Sequence, residues 1–259
     1  AALMTGRYQD KAGVPGVIRQ NVENSWGYLD PRAPTLPDLL SRADYHTVMV
    51  GKWHLGLGFA RGADRQDIDY SRGVSDGPHT RGFDFSFVIP ASLDFPPYVY
   101  IRNGQITRFT ALQSAQDFPA FLRHGPVGSD LHFEDSLDDL LGEAVGYLHT
   151  RAGRVEPFLR YFPLTAPLEP VLPARRFGGA TTRGPYGDFI HELDWIVGEV
   201  IKTLDEQGVA KNTLVIFTSD NGGMFNVGGQ DAWDAGHRRN GELLGFKFGA
   251  WEGGHRVPL

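Results

Sequence analysis

Two segments of the sequence share one order, a helix, a short loop and then an apolar strand, and this order most limits the possible folds. Residues 36–43 predict a short helix before the strand "YHTVMVG", and residues 186–207 predict a long helix before the strand at 212–220. "PFLRYF" at 157–162 predicts a third strand. Repeated alternation of this kind is typical of an α/β fold, a mostly parallel sheet flanked by helices.

Two helices and a hairpin have clear periodic signals. On the helix predicted for residues 132–150, one face collects Leu137, Leu140, Leu141, Ala144, Val145 and Leu148. On the helix at 186–207, which Gly208 ends as a left-handed cap, the apolar face is Phe189, Leu193, Val197, Val200, Ile201 and Leu204. Residues 98–109 predict a hairpin with Asn103 and Gly104 in its turn, as an excursion from the sheet.

Charge and hydropathy exclude several classes of partner. The net charge of −6 over 259 residues comes without a basic stripe, so we expect no binding to nucleic acid. No apolar run approaches the roughly 18 residues of a membrane-spanning helix, and we expect no membrane span. Metal-ligand spacing is absent among five histidines, so no zinc site is predicted: His79, His132, His191, His237 and His255.

Polar side chains follow the first predicted strand in "VMVGKWHLG", residues 48–56. In an extended segment alternate side chains share a face, so Lys52 and His54 point one way while Trp53 and Leu55 point the other. The two polar side chains would then converge on one spot, backed by the buried aromatic ring of Trp53. The alternative is a lysine that extends along the surface beside a hydrogen-bonded histidine.

A second polar cluster, "TSDNGG" at residues 218–223, follows the strand at 212–220. The carboxylate of Asp220 and the amide oxygen of Asn221 are hard ligands that suit calcium or magnesium. The two glycines after them allow a close backbone approach. The alternative is an ordinary turn after a strand.

A third stretch, "GFKFGAWEGGHRVP" at 245–258, adds Lys247 ahead of a Glu-Gly-Gly sequence. Together with "LMTGR" at residues 3–7, "GKWHLG" and "TSDNGG", it resembles the sulfatase family in order and spacing, over essentially the whole chain. The resemblance implies an alkaline-phosphatase-like α/β fold and an arylsulfatase-like sulfuric ester hydrolase. It also implies a sulfated small molecule or glycan as substrate, and secretion or periplasmic export.

The resemblance implies a role for each matching residue. Lys52 and His54 match the pair that contacts the sulfate and the nucleophile, and Lys247 matches a second sulfate-binding lysine. Asp220 and Asn221 match two ligands of a calcium ion. The physical chemistry agrees, because two lysines and a divalent cation stabilise the negative charge that builds on a sulfate ester under attack.

Three departures from the family pattern bear on activity or stability. The family nucleophile is a formylglycine made in a Cys/Ser-x-Pro-x-Arg motif, which would end immediately before Ala1, so we expect the chain as given to be inactive. Leu168, in "TAPLEP", stands where the family has a histidine that contacts the sulfate ester and can protonate the leaving group. Asp44 stands where the family favours glycine at a helix end, at a small cost in stability.

The missing nucleophile motif predicts a partial N-terminal catalytic domain over residues 1–259, without the first strand, that motif and the C-terminal subdomain. Removal of a central strand predicts a poorly stable fragment. Residues 224–244 form a long polar connection that we expect to select the substrate, together with the aromatic residues of "PPYVY" at 96–100.

Two alternatives to a sulfatase remain open at this point. One is a phosphatase or phosphonate hydrolase of the same superfamily, which the motif around Lys247 disfavours. The other is a catalytically inactive relative that only binds anionic glycans, which Leu168 favours. Turnover of sulfate and phosphate esters separates the first alternative, and the substitution Leu168→His separates the second.

Overall fold

The structure is a computed structural model that describes residues 1–18, 28–62, 68–109, 122–151, 153–225 and 229–259. The chain forms two compact units. Unit 1 contains Ala1–Ala144 and Gly153–Thr165, and unit 2 contains Val145–Ala152 and Ala166–Leu259. In the described part of the chain, none of the helices combines the length and the apolar composition that a transmembrane span requires.

Unit 1 contains a sheet of five strands. In chain order these are β1 (His46–Lys52), β2 (Phe85–Ile89), β3 (Ile101–Arg102), β4 (Gln105–Ile106) and β5 (Phe158–Tyr161). Their order across the sheet is β4-β3-β2-β1-β5, and β1 pairs in parallel with both β2 and β5. The predicted α/β fold is confirmed, and the sheet is mixed, since two of its four strand pairings are parallel and two are antiparallel.

The hairpin of β3 and β4 extends this sheet. Its turn residues Asn103 and Gly104 have φ angles of 48° and 80°, as a type I′ turn requires, so the predicted hairpin is confirmed. The prediction that it leaves the sheet is wrong, because β3 pairs antiparallel with β2. β2 itself was not predicted from "FSFVI", although four of its five residues are buried.

The helices of unit 1 begin with α1 (Ala2–Thr5) and α2 (Leu36–Ser41), and α3 (Ser136–Thr150) continues from unit 1 into unit 2. Thr35 caps α2, since its hydroxyl oxygen accepts a hydrogen bond from the Asp38 N–H at 3.3 Å. Between α2 and β1, Asp44 has a φ of 62°, which agrees with a position that favours glycine. On α3 the predicted apolar face is confirmed for five buried residues: Leu137, Leu140, Leu141, Ala144 and Leu148.

The sheet is buried on both faces. Met49, Val88 and Ile101 lie in a core cluster on one face, together with Trp53 and residues from the start of the chain. Alternate residues face the other side, where the Phe87 and Tyr100 rings stack with centroids 4.8 Å apart. This two-sided burial holds the ends of the parallel strands in fixed positions.

Unit 2 contains α4 (Gly184–Glu206), α5 (Gly229–Asp234) and α6 (Glu252–His255). The predicted long helix is confirmed as α4, and Gly208 after it has a φ of 71°. Its apolar face differs from the prediction, since Ile201 is exposed while Glu192 is fully buried. The carboxylate of Glu192 accepts a hydrogen bond from the Ala174 N–H at 2.9 Å, which supports a charged residue at a core position.

The strand predicted at 212–220 is wrong for this structure. Ala210–Asn212 form a 3-10 turn, and residues 213–219 have no strand partner in the described part of the chain. The apolar side chains of residues 214–217 are more than half exposed. β-branched residues fit a pleated surface that is covered on at least one side, and the unit offers no such cover here.

Asp188 on α4 anchors the loop that precedes this helix. Its two carboxylate oxygens each accept a main-chain N–H, from Gly179 and from Thr181, both at 2.8 Å. Burial alone would raise the pKa of Asp188, but these N–H groups hold it below its ordinary value. The ionised form therefore contributes stability above the unfolded-state pKa, and this contribution is lost as pH falls through the lower folded-state pKa.

We expect Asp188→Asn to lower the free energy of unfolding by about 2 kcal/mol at pH 7, since an amide replaces one accepting oxygen with a donor. The gap between wild type and variant narrows as pH falls below about 4, where the unfolded carboxyl protonates, and closes only below the lower folded-state pKa. Denaturant unfolding at pH 7 and at pH 3 measures both values. Asp194→Asn, at an exposed position of the same helix, is the control; a gap that is as large at pH 3 as at pH 7 contradicts the prediction.

Candidate functional site

The carboxyl end of β1 is hydrogen-bonded to both neighbouring strand ends. The Lys52 N–H donates to the Pro163 carbonyl at 2.7 Å, and the Trp53 N–H donates to the Ile89 carbonyl at 3.0 Å. Gly51 has a φ of 129°, and a Cβ there would lie 2.1 Å from the Pro163 oxygen, so this approach requires glycine. Lys52 therefore lies where parallel strands end, the edge at which α/β proteins bind ligands.

His54 lies two residues beyond β1 in a left-handed conformation, with a φ of 52°. Its main-chain N–H donates to the Pro90 carbonyl at 3.0 Å, and its Nε2 is 2.8 Å from the Ile18 carbonyl oxygen. A carbonyl only accepts, so Nε2 carries a proton in this contact. The strand ends at Lys52, so the alternation of side chains along a strand does not place Lys52 and His54 on one face. Trp53 is buried, as predicted.

A polar group that the sequence analysis missed follows β2. The Ser92 hydroxyl donates to Asp94 at 2.5 Å, and the other oxygen of Asp94 accepts from Arg123 at 2.7 Å. Arg123 lies 4.0 Å above the Phe95 ring, whose centroid is 5.7 Å from that of His54. The sequence signal for this group was the polar residues that follow the apolar run "FSFVI". It was overlooked because the sequence analysis did not recognise this run as a strand.

The aromatic residues of "PPYVY" at 96–100 do not form the predicted sugar-stacking surface. Tyr98 and Tyr100 are buried, and their hydroxyls donate at 2.8 Å to the Arg123 carbonyl and to Asp139. Burial also raises the pKa of both phenols. Their rings are part of the core of unit 1, so this prediction is wrong.

A cavity of about 750 Å³ lies beside the hairpin and is lined by residues of β2–β4 and α3. Arg102 pairs with Glu143, and the guanidinium of Arg102 also lies 4.8 Å from the Phe87 ring centroid. Burial raises the pKa of Asp139, which accepts from Tyr100. None of the five predicted site residues lines this cavity.

The other three predicted site residues lie in unit 2, where the structure brings two sequence motifs together. The Lys247 N–H donates to the Gly223 carbonyl at 3.0 Å. Gly223 belongs to the same short segment as Asp220 and Asn221. The Gly222 N–H donates to the Gly254 carbonyl at 2.9 Å, which adds the Glu-Gly-Gly segment of α6. Segments 218–223 and 245–254 therefore form one hydrogen-bonded assembly.

Asn240 connects these segments and was not predicted as a site residue. Its amide oxygen accepts from the Gly223 N–H at 2.7 Å, and its amide nitrogen donates to the Gly223 and Gly245 carbonyls at 3.2 and 3.0 Å. One side chain thus fixes the distance between the Asp-Asn-Gly-Gly segment and the loop before Lys247. The sequence signal was a lone asparagine between an arginine pair and Gly241, which is usually a turn.

Asp220 and Asn221 offer the donor chemistry of a calcium site. Asp220 is exposed, and Asn221 donates through its amide nitrogen to the Gly222 carbonyl at 3.2 Å, so its amide oxygen remains an acceptor. These two oxygens suit Ca²⁺, which takes about six to eight oxygen ligands. Within the described ranges, no group of three or more histidine or acidic residues is arranged to hold a metal ion.

Comparison with known proteins identifies the family of this chain. The sulfatase family model matches residues 1–259, the whole sequence. The chain belongs to the sulfatase family. This sulfatase chain is 30% identical to an N-acetylgalactosamine-6-O-sulfatase of Bacteroides thetaiotaomicron, over 99% of its own length and 56% of that relative. It is 31% identical to the N-acetylgalactosamine-6-sulfatase of Rattus norvegicus, covering 46% of that protein.

Solved sulfatase structures share the fold. A structure from work on glycosaminoglycan metabolism by Bacteroides thetaiotaomicron matches 99% of this chain and 59% of its own, with a TM-score of 0.84 and 28% identity. The PsFucS1 sulfatase of a Pseudoalteromonas species matches the whole chain and 50% of its own, with a TM-score of 0.71 and 25% identity. The sulfatase chain described here spans about half the length of the curated relatives it matches.

Proposed function

We propose that these 259 residues are part of the N-terminal catalytic domain of a longer enzyme that hydrolyses sulfate esters. The observation that carries the proposal is the hydrogen bond from the Lys247 N–H to the Gly223 carbonyl. It holds a lysine next to the oxygen ligands Asp220 and Asn221 within one unit. A sulfate ester under attack needs positive charge and a nearby divalent cation, and this arrangement offers a lysine and two oxygen ligands that suit such a cation.

Each predicted residue has a role in this proposal. Lys52 and Lys247 bind sulfate oxygens as compact charges, and His54 contacts the sulfate and the nucleophile. Asp220 and Asn221 hold Ca²⁺, which when bound stabilises the charge on the sulfate oxygens. The nucleophile is a formylglycine on a residue outside these 259.

The proposed substrate is a sulfated glycan, with aryl sulfates as a second class. Relatives near 30% identity are named N-acetylgalactosamine-6-sulfatases, and Arylsulfatase H of Homo sapiens is 29% identical. A glycan sulfated at a primary hydroxyl of N-acetylgalactosamine is therefore the first compound to test. Sulfatases that act on such polymers are usually extracellular, so we propose a secreted or periplasmic location.

Leu168 supports a second candidate function, an inactive relative that binds anionic glycans. Leucine can neither contact the sulfate ester by a hydrogen bond nor protonate a leaving group, and it occupies the position of the family histidine. The half-buried Leu168 adjoins the buried Glu169. This feature concerns the chemical step and leaves the sulfate-binding lysines unaffected.

The test is turnover of 4-nitrophenyl sulfate and 4-nitrophenyl phosphate by the full-length protein. The proposal expects kcat/KM for 4-nitrophenyl sulfate to exceed that for the phosphate by at least about 100-fold. On 6-sulfated N-acetylgalactosamine, whose alkoxide leaving group needs a proton, Leu168→His should raise kcat about tenfold. Preference for phosphate favours the phosphatase alternative. Glycan binding without turnover, in wild type and in Leu168→His, favours the inactive relative.

A further inference from the structure

Three aromatic side chains of unit 2, Phe225, Trp233 and Phe246, form an exposed aromatic row. The Phe225 ring centroid lies 6.1 Å from that of Phe246 and 6.0 Å from that of Trp233. Each of the three residues is between 41% and 47% exposed. Exposed aromatic rings gathered in one place, rather than scattered singly, are typical of an interaction surface. Neither the fold nor the proposed roles of the five site residues account for the aromatic row.

Arg238 adds a fixed positive charge to the aromatic row. Its guanidinium carbon lies 3.4 Å from the centroid of the Trp233 ring, and its Nη1 donates to the Trp233 carbonyl at 2.9 Å. The stacked contact and the hydrogen bond together hold the guanidinium in one orientation. Arg238 is exposed, and no acceptor in the described part of the chain contacts its Nε or Nη2 atom. These two nitrogen atoms therefore remain available to an anionic group.

The aromatic row is continuous with the candidate site in unit 2. Phe246 directly precedes Lys247, and Phe225 follows Gly223 by two residues. The hydrogen bond from the Lys247 N–H to the Gly223 carbonyl at 3.0 Å joins these two segments. Phe225 and Trp233 also belong to the connection at 224–244, which the sequence predicts to select the substrate. The row therefore adjoins the segments that carry the proposed sulfate-binding and calcium-binding groups.

We propose that the aromatic row and Arg238 form a subsite for one sugar of an anionic glycan, next to the sugar that carries the sulfate ester. Aromatic rings pack against the apolar C–H face of a sugar. A guanidinium donates two parallel hydrogen bonds to a pair of oxygens of a carboxylate or sulfate group. A ring and a guanidinium held together therefore favour a sugar that bears a negative charge. This inference rests on the proposed function and extends substrate recognition beyond a single sulfated sugar.

Another part of the full-length protein is the alternative occupant of the aromatic row. Such a cover would bury the charge of Arg238, which is costly unless the covering segment supplies an acidic partner. An anionic sugar brings this partner with it. Iodide quenching of tryptophan fluorescence, compared between the full-length wild type and Trp233→Phe, measures whether Trp233 is accessible. An inaccessible Trp233 overturns the inference.

The first kinetic test compares a short and a long sulfate ester in the full-length protein. They are 6-sulfated N-acetylgalactosamine and a chondroitin 6-sulfate tetrasaccharide, in which each such sugar adjoins a uronic acid. We expect Trp233→Ala to lower kcat/KM for the tetrasaccharide about tenfold, mainly through KM, and to leave the monosaccharide within about twofold. Trp195→Ala, at an exposed tryptophan of the same unit outside the row, is the matched control and should leave both values within about twofold. Equal losses on both esters, or no loss, would overturn the proposal.

Removal of the positive charge tests the anionic part of the proposal. Arg238→Ala should lower kcat/KM for the tetrasaccharide about tenfold, and this loss should shrink when the uronic acid carboxyls are reduced to alcohols. Because the Arg238 side chain is exposed, this variant should fold even if Trp233→Ala does not, and thermal unfolding verifies it. A loss of equal size on the native and the carboxyl-reduced tetrasaccharide contradicts the proposal.

A binding measurement separates this inference from the proposed hydrolysis. Unsulfated chondroitin tetrasaccharide, which keeps the uronic acids and has no sulfate ester, is titrated calorimetrically into the full-length wild type, Trp233→Ala and Arg238→Ala. A Kd about tenfold higher in both variants supports the subsite even where no sulfate ester is turned over. Absence of saturable binding to the wild type, or an equal Kd in all three proteins, overturns the inference without bearing on sulfatase activity.

Discussion

Lys247→Ala in the full-length protein is expected to lower kcat/KM for a sulfate ester by about 100- to 1000-fold, the usual effect of removing one preorganised charge from a transition state. The loss follows from the proposed role of Lys247 as a sulfate-binding cation. Alanine keeps the main-chain N–H that donates to the Gly223 carbonyl, so the segment of Asp220 and Asn221 keeps its place. Steady-state kinetics with 4-nitrophenyl sulfate measures the effect.

The matched control for this charge removal is Lys211→Ala. Lys211 is an exposed lysine of the same unit, in the 3-10 turn Ala210–Asn212, and its loss should change kcat/KM by less than twofold. Thermal unfolding of both variants excludes a general loss of structure. A Lys247→Ala enzyme within tenfold of wild type would show that the lysine has no part in the reaction.

Gly222→Ala is expected to destabilise unit 2 by about 3 kcal/mol or more, because overpacking against a main chain forces the backbone to move. A Cβ at Gly222 would lie 1.8 Å from the Gly253 carbonyl oxygen. The same change disturbs the hydrogen bond from the Gly222 N–H to the Gly254 carbonyl at 2.9 Å. Denaturant unfolding gives the loss, and the proposed sulfatase activity of the full-length protein should fall with it.

Gly198→Ala is a control that should raise the free energy of unfolding, whereas Gly222→Ala should lower it. Gly198 lies within α4, and a Cβ there meets no atom within 4 Å. Alanine in a helix interior is favoured over glycine by about 1 kcal/mol, so the variant should be slightly more stable than wild type. Similar effects of Gly222→Ala and Gly198→Ala would mean that the close approach at Gly222 does not constrain the unit.

Elements with strong local signals were predicted correctly. The apolar stripe of α3 and the Asn103–Gly104 turn depend on residues a few positions apart, so sequence alone reveals them. The family resemblance came from four short motifs in a fixed order, and the match over the whole chain confirms it.

Features that depend on distant neighbours were missed or misread. Glu192 is buried on α4 because Ala174, 18 residues earlier, donates to it, and periodicity alone favours an apolar residue there. The rings of Tyr98 and Tyr100 looked available for a sugar, but both are buried and their hydroxyls find partners far along the chain. The position of His54 likewise depends on a left-handed backbone that strand alternation does not anticipate.

Within the candidate site, the hydrogen-bonded assembly around Gly223 was likewise not predicted from the sequence. Both motifs were recognised, but their contact depends on Asn240, which the sequence analysis placed in a long polar connection. Long-range hydrogen bonds of this kind leave no periodic pattern.

The exposed apolar segment at residues 214–217 has a consequence for handling the protein in solution. Its four consecutive side chains, Leu214, Val215, Ile216 and Phe217, are β-prone and uncharged, and their backbone lacks ladder partners in the described part of the chain. Segments of this composition add to one another as intermolecular strands and are a frequent origin of aggregation. In concentrated samples of these 259 residues, precipitation should therefore begin here, and a charged residue in place of Ile216 should delay it.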